Sequence, residues 1–333
     1  MYQAKRAMFL YTVSPLHMGA GTALGVIDSP IQRERHTGHP MMAGSGIKGA
    51  IRDHVRRTWD NGHRDMVNRI FGPEPSGGEL HAGAVTFTDA AIVLLPVRSL
   101  KRSYVYATCP TALGRLQRVL AQAGHPDSFT ITSPEVDDAL VLDEKLLLDK
   151  DQLYLESFRF KASVSKPLAD IAVFLEDHAV PADAGMEYFA SKIGSDLVVL
   201  HDDRFNYFAK NSMVVEPHVR INDETGTADD GGLFYVENLP PESLLVSLVL
   251  TSAEYRSKSE SKSEPRSRSV QGSLDDGRFD AREVLAQLVT GVNGNASRGL
   301  DGQLVQFGGD ATTGRGLVTL RFPDPAGREG GGS

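Results

Sequence analysis

The chain has one cysteine, Cys109, and one tryptophan among 333 residues. A single cysteine excludes an intrachain disulfide framework and leaves a cysteine-based zinc site without ligands, which fits a reducing, cytoplasmic setting. Cys109 itself reads as a small buried hydrophobe or as a nucleophile. No apolar run approaches the roughly 20 residues that span a bilayer. The stretch after Lys5 and Arg6 is too short, and too soon broken by Pro15, for a signal peptide. The Gly-Lys-Ser/Thr ending of a nucleotide-binding loop is missing, and no glycine fingerprint opens onto a helix as dinucleotide binding requires. Excess positive charge is lacking too: 35 Lys and Arg face 43 Asp and Glu, a formal charge of −8. That balance argues against indiscriminate nucleic-acid binding.

What is present is concentrated near the start. Between Pro30 and Ile70 eight basic residues face four acids, the reverse of the whole chain. An apolar, β-branched segment from Ala7 to Val13 reads as a strand. It runs into Ser14-Pro15-Leu16-His17-Met18-Gly19-Ala20-Gly21, then Gly25-Val26-Ile27-Asp28-Ser29-Pro30-Ile31-Gln32-Arg33-Glu34, then Gly44-Ser45-Gly46-Ile47-Lys48-Gly49. Glycine admits a close backbone approach, and a helix N-terminus after such a loop offers free N–H groups to an anion. Ser45 is the expected N-cap of a helix running to Trp59. Ile47, Ile51, Val55 and Trp59 recur at i+4 as its buried stripe. Lys48, Arg52 and Arg56 form the adjacent stripe, either a solvated face or a phosphate-facing one.

Downstream, strands are expected over Val85–Val97, Leu153–Phe160, Leu197–Leu200, Leu244–Leu250 and Leu317–Phe322, with Pro96 ending the first or marking an edge. Helices are expected over 111–123, 167–177, 185–193 and 280–289. Met213–Ile221 and Leu233–Val236 suggest a long hairpin around Asp223-Glu224-Thr225-Gly226. Ser252–Ser269 is low-complexity Ser, Arg, Lys and Glu and reads as a solvated insertion; residues 326–333 read as a disordered tail. Strands and helices without regular alternation indicate an α+β fold, expected here as one domain over 1–325.

Three residues stand out for chemistry. Asp28 is a lone carboxylate among glycines. It reads as a ligand for a divalent metal shared with phosphates, as a general base, or as the side chain of an Asx-turn before Ser29-Pro30. His17 is an acid–base candidate or a structural histidine at a strand end. Glu237, before Pro240-Pro241, is a metal-placing group or a surface carboxylate. The loop Gly308-Gly309-Asp310-Ala311-Thr312-Thr313-Gly314-Arg315-Gly316 combines close-approach glycines with one cation.

These segments, with Arg220-Ile221-Asn222-Asp223-Glu224-Thr225-Gly226-Thr227 and Gly232-Leu233-Phe234-Tyr235-Val236-Glu237-Asn238-Leu239-Pro240, resemble the RAMP superfamily. Within it they are most similar to the repeated backbone subunit of the type III-B CRISPR effector. The resemblance implies an RRM-like, ferredoxin-like palm with inserted fingers and a β-hairpin thumb, sought within 205–220. It implies a filament of copies of itself along one CRISPR RNA guide, together with other type III-B effector subunits and no membrane. It also implies endoribonuclease cutting of complementary target RNA at regular intervals, a cutting expected here to be metal-dependent. By the resemblance Asp28 falls on the catalytic aspartate, expected here to hold a divalent ion, Mg2+ or Mn2+, to deprotonate a 2′-hydroxyl, or to do both. Ser45, Lys48, Arg52, Gly314, Arg315 and Gly316 fall where the guide backbone is gripped. A guide-holding scaffold without cutting, and a nuclease processing repeat RNA with His17 as base, are the alternatives.

Overall fold

The structure, a computed structural model, describes residues 2–23, 25–59, 64–73, 80–181, 185–255, 278–291 and 299–325. Most of the low-complexity segment and all of the tail lie outside these residues. In chain order the elements are β1 (Ala4–Thr12), β2 (Met41–Met42), α1 (Gly44–Thr58), α2 (Arg64–Phe71), β3 (Val85–Phe87), β4 (Ala90–Ser99), β5 (Ser103–Thr108) and α3 (Pro110–Gln122). Then come β6 (Asp138–Val141), β7 (Gln152–Leu155), β8 (Phe158–Val164), α4 (Lys166–His178), α5 (Glu187–Asp196), β9 (Leu197–Leu200) and α6 (Asp202–Asn211). The last are β10 (Val214–Ile221), β11 (Ala228–Asn238), β12 (Leu244–Thr251), α7 (Ala281–Val289), β13 (Leu304–Gln306) and β14 (Leu317–Arg321).

The α+β class holds. A 12-stranded sheet runs β13-β14-β1-β12-β4-β5-β9-β6-β8-β7, with β2 added on β4 and β3 on β12, and a Ser99–Leu155 pairing joins β7 back to β4. The strands from β4 to β7 therefore close on themselves, while β13, β14, β1 and β12 remain an open wing. β4 belongs to both, because its first half pairs with β12 and its second with β5. Pro96 sits past the last β12 pairing, opposite Tyr106 of β5, so its missing N–H costs no ladder bond on the β12 side. It does not end the strand. Met8 and Leu10 of β1 enter one core; Ala7, Phe9 and Tyr11 enter another across the sheet. Burial on both faces is why this strand reads as a continuous apolar run rather than an alternating one.

Several expectations change on long-range grounds. The expected strand 85–97 divides at Thr88-Asp89. There the Asp89 side chain turns away to accept the Gly44 N–H at 2.7 Å. Asp89 thus caps α1 from a distance, the N-cap position is Ala43, and Ser45 lies inside the helix. Gly44 is required at this junction, since a Cβ there would lie 2.2 Å from the Phe87 carbonyl oxygen. The α1 stripe is as expected, with Ile47, Ile51, Val55 and Trp59 buried, each side chain contributing about 1.5–3 kcal/mol. The single strand expected over 153–160 is the β7–β8 hairpin, turning at Glu156 with φ +51°. Segment 205–220 is helix α6 in its first half and strand β10 in its second. The hairpin's other strand lies at 228–238, and the two form a separate two-stranded sheet. Cys109 is buried before α3, and burial pushes its thiol pKa up, which removes it as a nucleophile. Among the described residues no helix is long and apolar enough to cross a membrane.

Candidate nucleic-acid interface

The segments singled out in the sequence meet at the C-terminal end of β1. Leu16 pairs with Leu239 just beyond the hairpin, Gly19 with Ile31, and Ser29 with Val236 of β11. The hairpin root thus becomes the wall on which both acid–base candidates are mounted. The Tyr235 N–H donates to Asp28 Oδ2 at 2.7 Å. His17 Nδ1 lies 2.7 Å from the Glu237 carbonyl oxygen. A carbonyl only accepts, so this contact requires the proton on Nδ1 and leaves Nε2 as the free lone pair. The two anchor points are two residues apart on β11, about 7 Å by strand rise. Asp28 Oδ1 has no partner among the described residues, so one oxygen fixes the side chain and the other remains available.

Glycines hold this corner together. Gly308 has φ +69°, and a Cβ there would lie 2.1 Å from the His17 carbonyl oxygen, which accepts the Gly309 N–H at 3.1 Å. A Cβ on Gly19 would stand 3.0 Å from His17 Nε2. Glycine therefore keeps that nitrogen open. Gln32 ties the loop to α1: its Nε2 donates to the Gly19 carbonyl at 3.1 Å and its Oε1 accepts the Ala43 N–H at 3.0 Å. Met18, Gly19, Gln32, Gly46 and Gly308 line a small groove of about 100 Å³ at the start of α1. Gly46 lines it and the exposed Ser45 precedes it, and the amides of both meet no acceptor among the described residues. Two free N–H groups at the positive end of a 15-residue helix favour an anion.

Glu237 is not a surface carboxylate. Its side chain is 4% exposed and pairs with Arg33 Nη2 at 2.5 Å, while Oε2 accepts the Ile31 N–H at 2.9 Å. Arg33 Nη1 also donates to the carbonyls of Gly38 and Ala209, at 2.9 and 2.6 Å, binding the loop to the end of α6. Arg33 and Gln32 were read in the sequence only as part of the motif. No local signal marks them, because Arg33's partner Glu237 is 204 positions away. The basic candidates are also engaged within the chain. Lys48 Nζ donates to the Val85 carbonyl at 3.0 Å. Burial lowers its pKa, with Arg52 adding to the effect. Arg52 reaches Asn68 at 3.2 Å, and Arg56 pairs with Asp53. Arg315 is ion-paired with Glu216 of β10, so the Gly314–Gly316 loop is tied to the hairpin. Gly316 lies at φ +75°, where a Cβ would strike the Phe307 carbonyl oxygen.

Behind the loop, His39 is 1% exposed, with Nε2 2.5 Å from Asn206 Oδ1 on α6. Burial lowers its pKa from the ordinary 6.5. The unfolded chain then binds more protons than the folded one between those two values. Stability should be full above about pH 7 and fall as pH drops through the lowered value. Urea unfolding from pH 5 to 7 checks this: the slope should be positive and smaller in His39→Gln, whereas equal slopes overturn the assignment to His39.

A family model, the RAMP superfamily, matches residues 9–319. The chain belongs to the RAMP superfamily. Among RAMP relatives, the Pyrococcus furiosus protein named CRISPR system Cmr endoribonuclease Cmr4 is 33% identical over 316 residues, covering 95% of this chain and 94% of that one. The crystal structure of oligomeric Cmr4 from Pyrococcus furiosus superposes with a TM-score of 0.66 at 26% identity, over 96% of this chain and 98% of that one. A chain in the cryo-EM structure of the type III-B Cmr-beta complex bound to cognate target RNA shares the fold, with a TM-score of 0.65 at 19% identity, over 96% of this chain and 98% of that one.

Proposed function

We propose that this RAMP protein is the repeated backbone subunit of a type III-B CRISPR effector. Copies stack along a guide RNA beside other subunits of the effector, in the cytoplasm, and cut complementary target RNA at regular intervals. The likeness across nearly the whole chain to a protein named as a Cmr endoribonuclease supports this. The observation that carries it is Asp28, fixed to the hairpin root through one carboxylate oxygen with the other free. In this reading the open sheet wing is the palm, the closed strands are the fingers, and β10–β11 is the thumb. The free amides of Ser45 and Gly46 receive a guide phosphate. The exposed Val215, Pro217, Val219 and Leu233 of the hairpin suit a wedge between bases. Base pairing then supplies sequence recognition while the protein reads backbone and shape.

The displaced nucleotide presents its 2′-hydroxyl to the adjacent phosphate. Asp28 takes the hydroxyl proton as the 2′-oxygen bonds to phosphorus; the P–O5′ bond breaks, the 5′-oxygen takes a proton from water, and Asp28 returns its own proton to solvent. The products are a 5′-hydroxyl and a 2′,3′-cyclic phosphate. His17, held with Nε2 open, is placed to carry a proton at this site. Among the described residues no cluster of three or more His, Cys, Asp or Glu side chains could cage a metal. One free carboxylate oxygen nevertheless suits Mg2+ or Mn2+, which take much of their coordination from phosphates and water. Such an ion would be held by Asp28 and would stabilise charge on the phosphate oxygens.

The test uses the assembled effector and complementary RNA. Evenly spaced cuts are expected, and a single 2′-deoxy substitution at one cut position should abolish that cut alone. Cutting through the deoxy position overturns the 2′-hydroxyl route. No cuts with intact guide binding leave the chain as a scaffold, and metal-independent cleavage of repeat RNA by the isolated chain favours the processing nuclease.

A further inference from the structure

β1 is paired unevenly. On one side β12 accompanies it from Ala4 to Tyr11; on the other β14 accompanies it only from Phe9 to Thr12. Backbone groups of successive strand residues point to alternate sides. The Thr12 N–H donates to Ser243 at the start of β12, and the Val13 N–H to Leu317 of β14, so the odd-numbered residues of β1 face the β14 side. Ala7 and Lys5 therefore continue that edge beyond the last β14 pairing. The same register sets Pro323 opposite Ala7, and proline has no N–H to offer. Its carbonyl instead accepts from Arg6 Nη1 at 3.2 Å. Lys5 is exposed and has no backbone partner on this side among the described residues.

The place of the missing strand is a cleft of about 580 Å³, within the roughly 300–1,000 Å³ typical of binding sites. Gln3, Lys5 and Arg6 line it, together with α7 and with His178 at the end of α4. α7 packs on the core that holds Met8 and Leu10, and α4 on the core that holds Ala7 and Phe9. A cavity bordered by helices from both faces of the sheet lies at the sheet's edge. Leu285, Ala286 and Val289 make its α7 wall, with Arg282 at one end. Lys5 shares the parity of Ala7 and Phe9 and so lies on the α4 side. Arg6 is paired with Asp324 and Arg321 with Asp301. Lys5 and Arg282 have no side-chain partner among the described residues. Two unmatched cations at one cleft stand out in a chain of net charge −8. On a bare edge a lysine keeps other strands away. Beside an apolar wall and a second cation, it selects an acidic strand.

We infer that this cleft takes an extended, acidic peptide segment of another protein as an added strand on the free edge of β1. Main-chain hydrogen bonds to Lys5 hold the peptide, and its alternate side chains set the choice of partner. Apolar side chains meet Leu285 and Val289 on one face; carboxylates meet Lys5 on the other, and Arg282 takes an acid at the end of the α7 wall. The inference goes beyond the RNA reading and does not depend on it.

Fluorescence polarisation of the full chain with a labelled, end-blocked hexapeptide of alternating valine and glutamate tests it. Saturable binding is expected, with the Lys5 amide protected from hydrogen exchange by the peptide. Lys5→Glu with Arg282→Glu should weaken binding by roughly tenfold, since reversal replaces attraction with repulsion. That variant should instead bind the alternating valine and lysine peptide, which also shows that it is folded. Two further peptides carry N-methyl groups on the valines alone or on the glutamates alone. One should lose binding and the other keep it, because only alternate N–H groups join a ladder. This comparison needs only the wild-type chain, so it stands even if the variant does not fold. Equal behaviour of the two methylated peptides overturns strand addition. No binding of the parent peptide, or binding that charge reversal leaves unchanged, overturns the site. Salt-sensitive self-association of the peptide-free chain, lost in the same variant, overturns it in favour of a second copy.

Discussion

Replacing Asp28 should abolish target cutting, with a loss of at least about 10²-fold, the lower bound for a displaced general base. The structure separates two substitutions that the sequence makes look equivalent. Asp28→Ala removes the reactive oxygen and also strands the Tyr235 N–H that Oδ2 now accepts. Asp28→Asn keeps an amide oxygen for Tyr235 and removes only the charge. The asparagine variant should therefore bind guide RNA and assemble as wild type does, yet leave target RNA whole. The alanine variant should lose cutting as well, together with some order at the hairpin root. Counting cut products on complementary RNA alongside guide affinity by filter binding measures both. Wild-type cutting by Asp28→Asn would remove Asp28 from the chemistry, because the amide is no base.

The second large effect concerns stability. Glu237→Ala would leave the Arg33 guanidinium without its counter-charge and the Ile31 N–H without its acceptor. Breaking a buried ion pair by removing one partner costs about 3–5 kcal/mol. We expect the lower end, near about 3 kcal/mol, because the Arg33 side chain is 22% exposed and water screens part of the loss. Glu237→Gln keeps an acceptor for Ile31 and should lose less. Urea unfolding of both variants reads the difference. Because the Glu237 backbone carbonyl, not its carboxylate, holds His17, neither substitution removes that anchor. A wild-type midpoint for Glu237→Ala would show that the pair does not brace this corner. Full cutting by Glu237→Gln would place Glu237 among the residues that position Asp28 rather than those that touch RNA.

Much of this protein is legible without coordinates. The i+4 stripe of Ile47, Ile51, Val55 and Trp59 specifies α1, because helical periodicity is a local property. The unbroken apolar runs of β1 and β12 mark strands covered on both faces. The Gly308–Gly316 loop reads as one built for close backbone approach, and Gly308 and Gly316 meet backbone oxygens there. The motif around Asp28 places the chain in its family before any fold is known. Tertiary structure decided the rest, and always through partners remote in sequence. Asp89 caps α1 from 45 positions away, which splits an expected strand and puts Ser45 inside the helix. Glu216 takes Arg315 across 99 positions, and Arg33 finds Glu237 across 204. A charged side chain looks the same in sequence whether it faces solvent, RNA or a buried counter-charge. Only the sheet order, which brings the hairpin root against the loops after β1, determines which of these it meets.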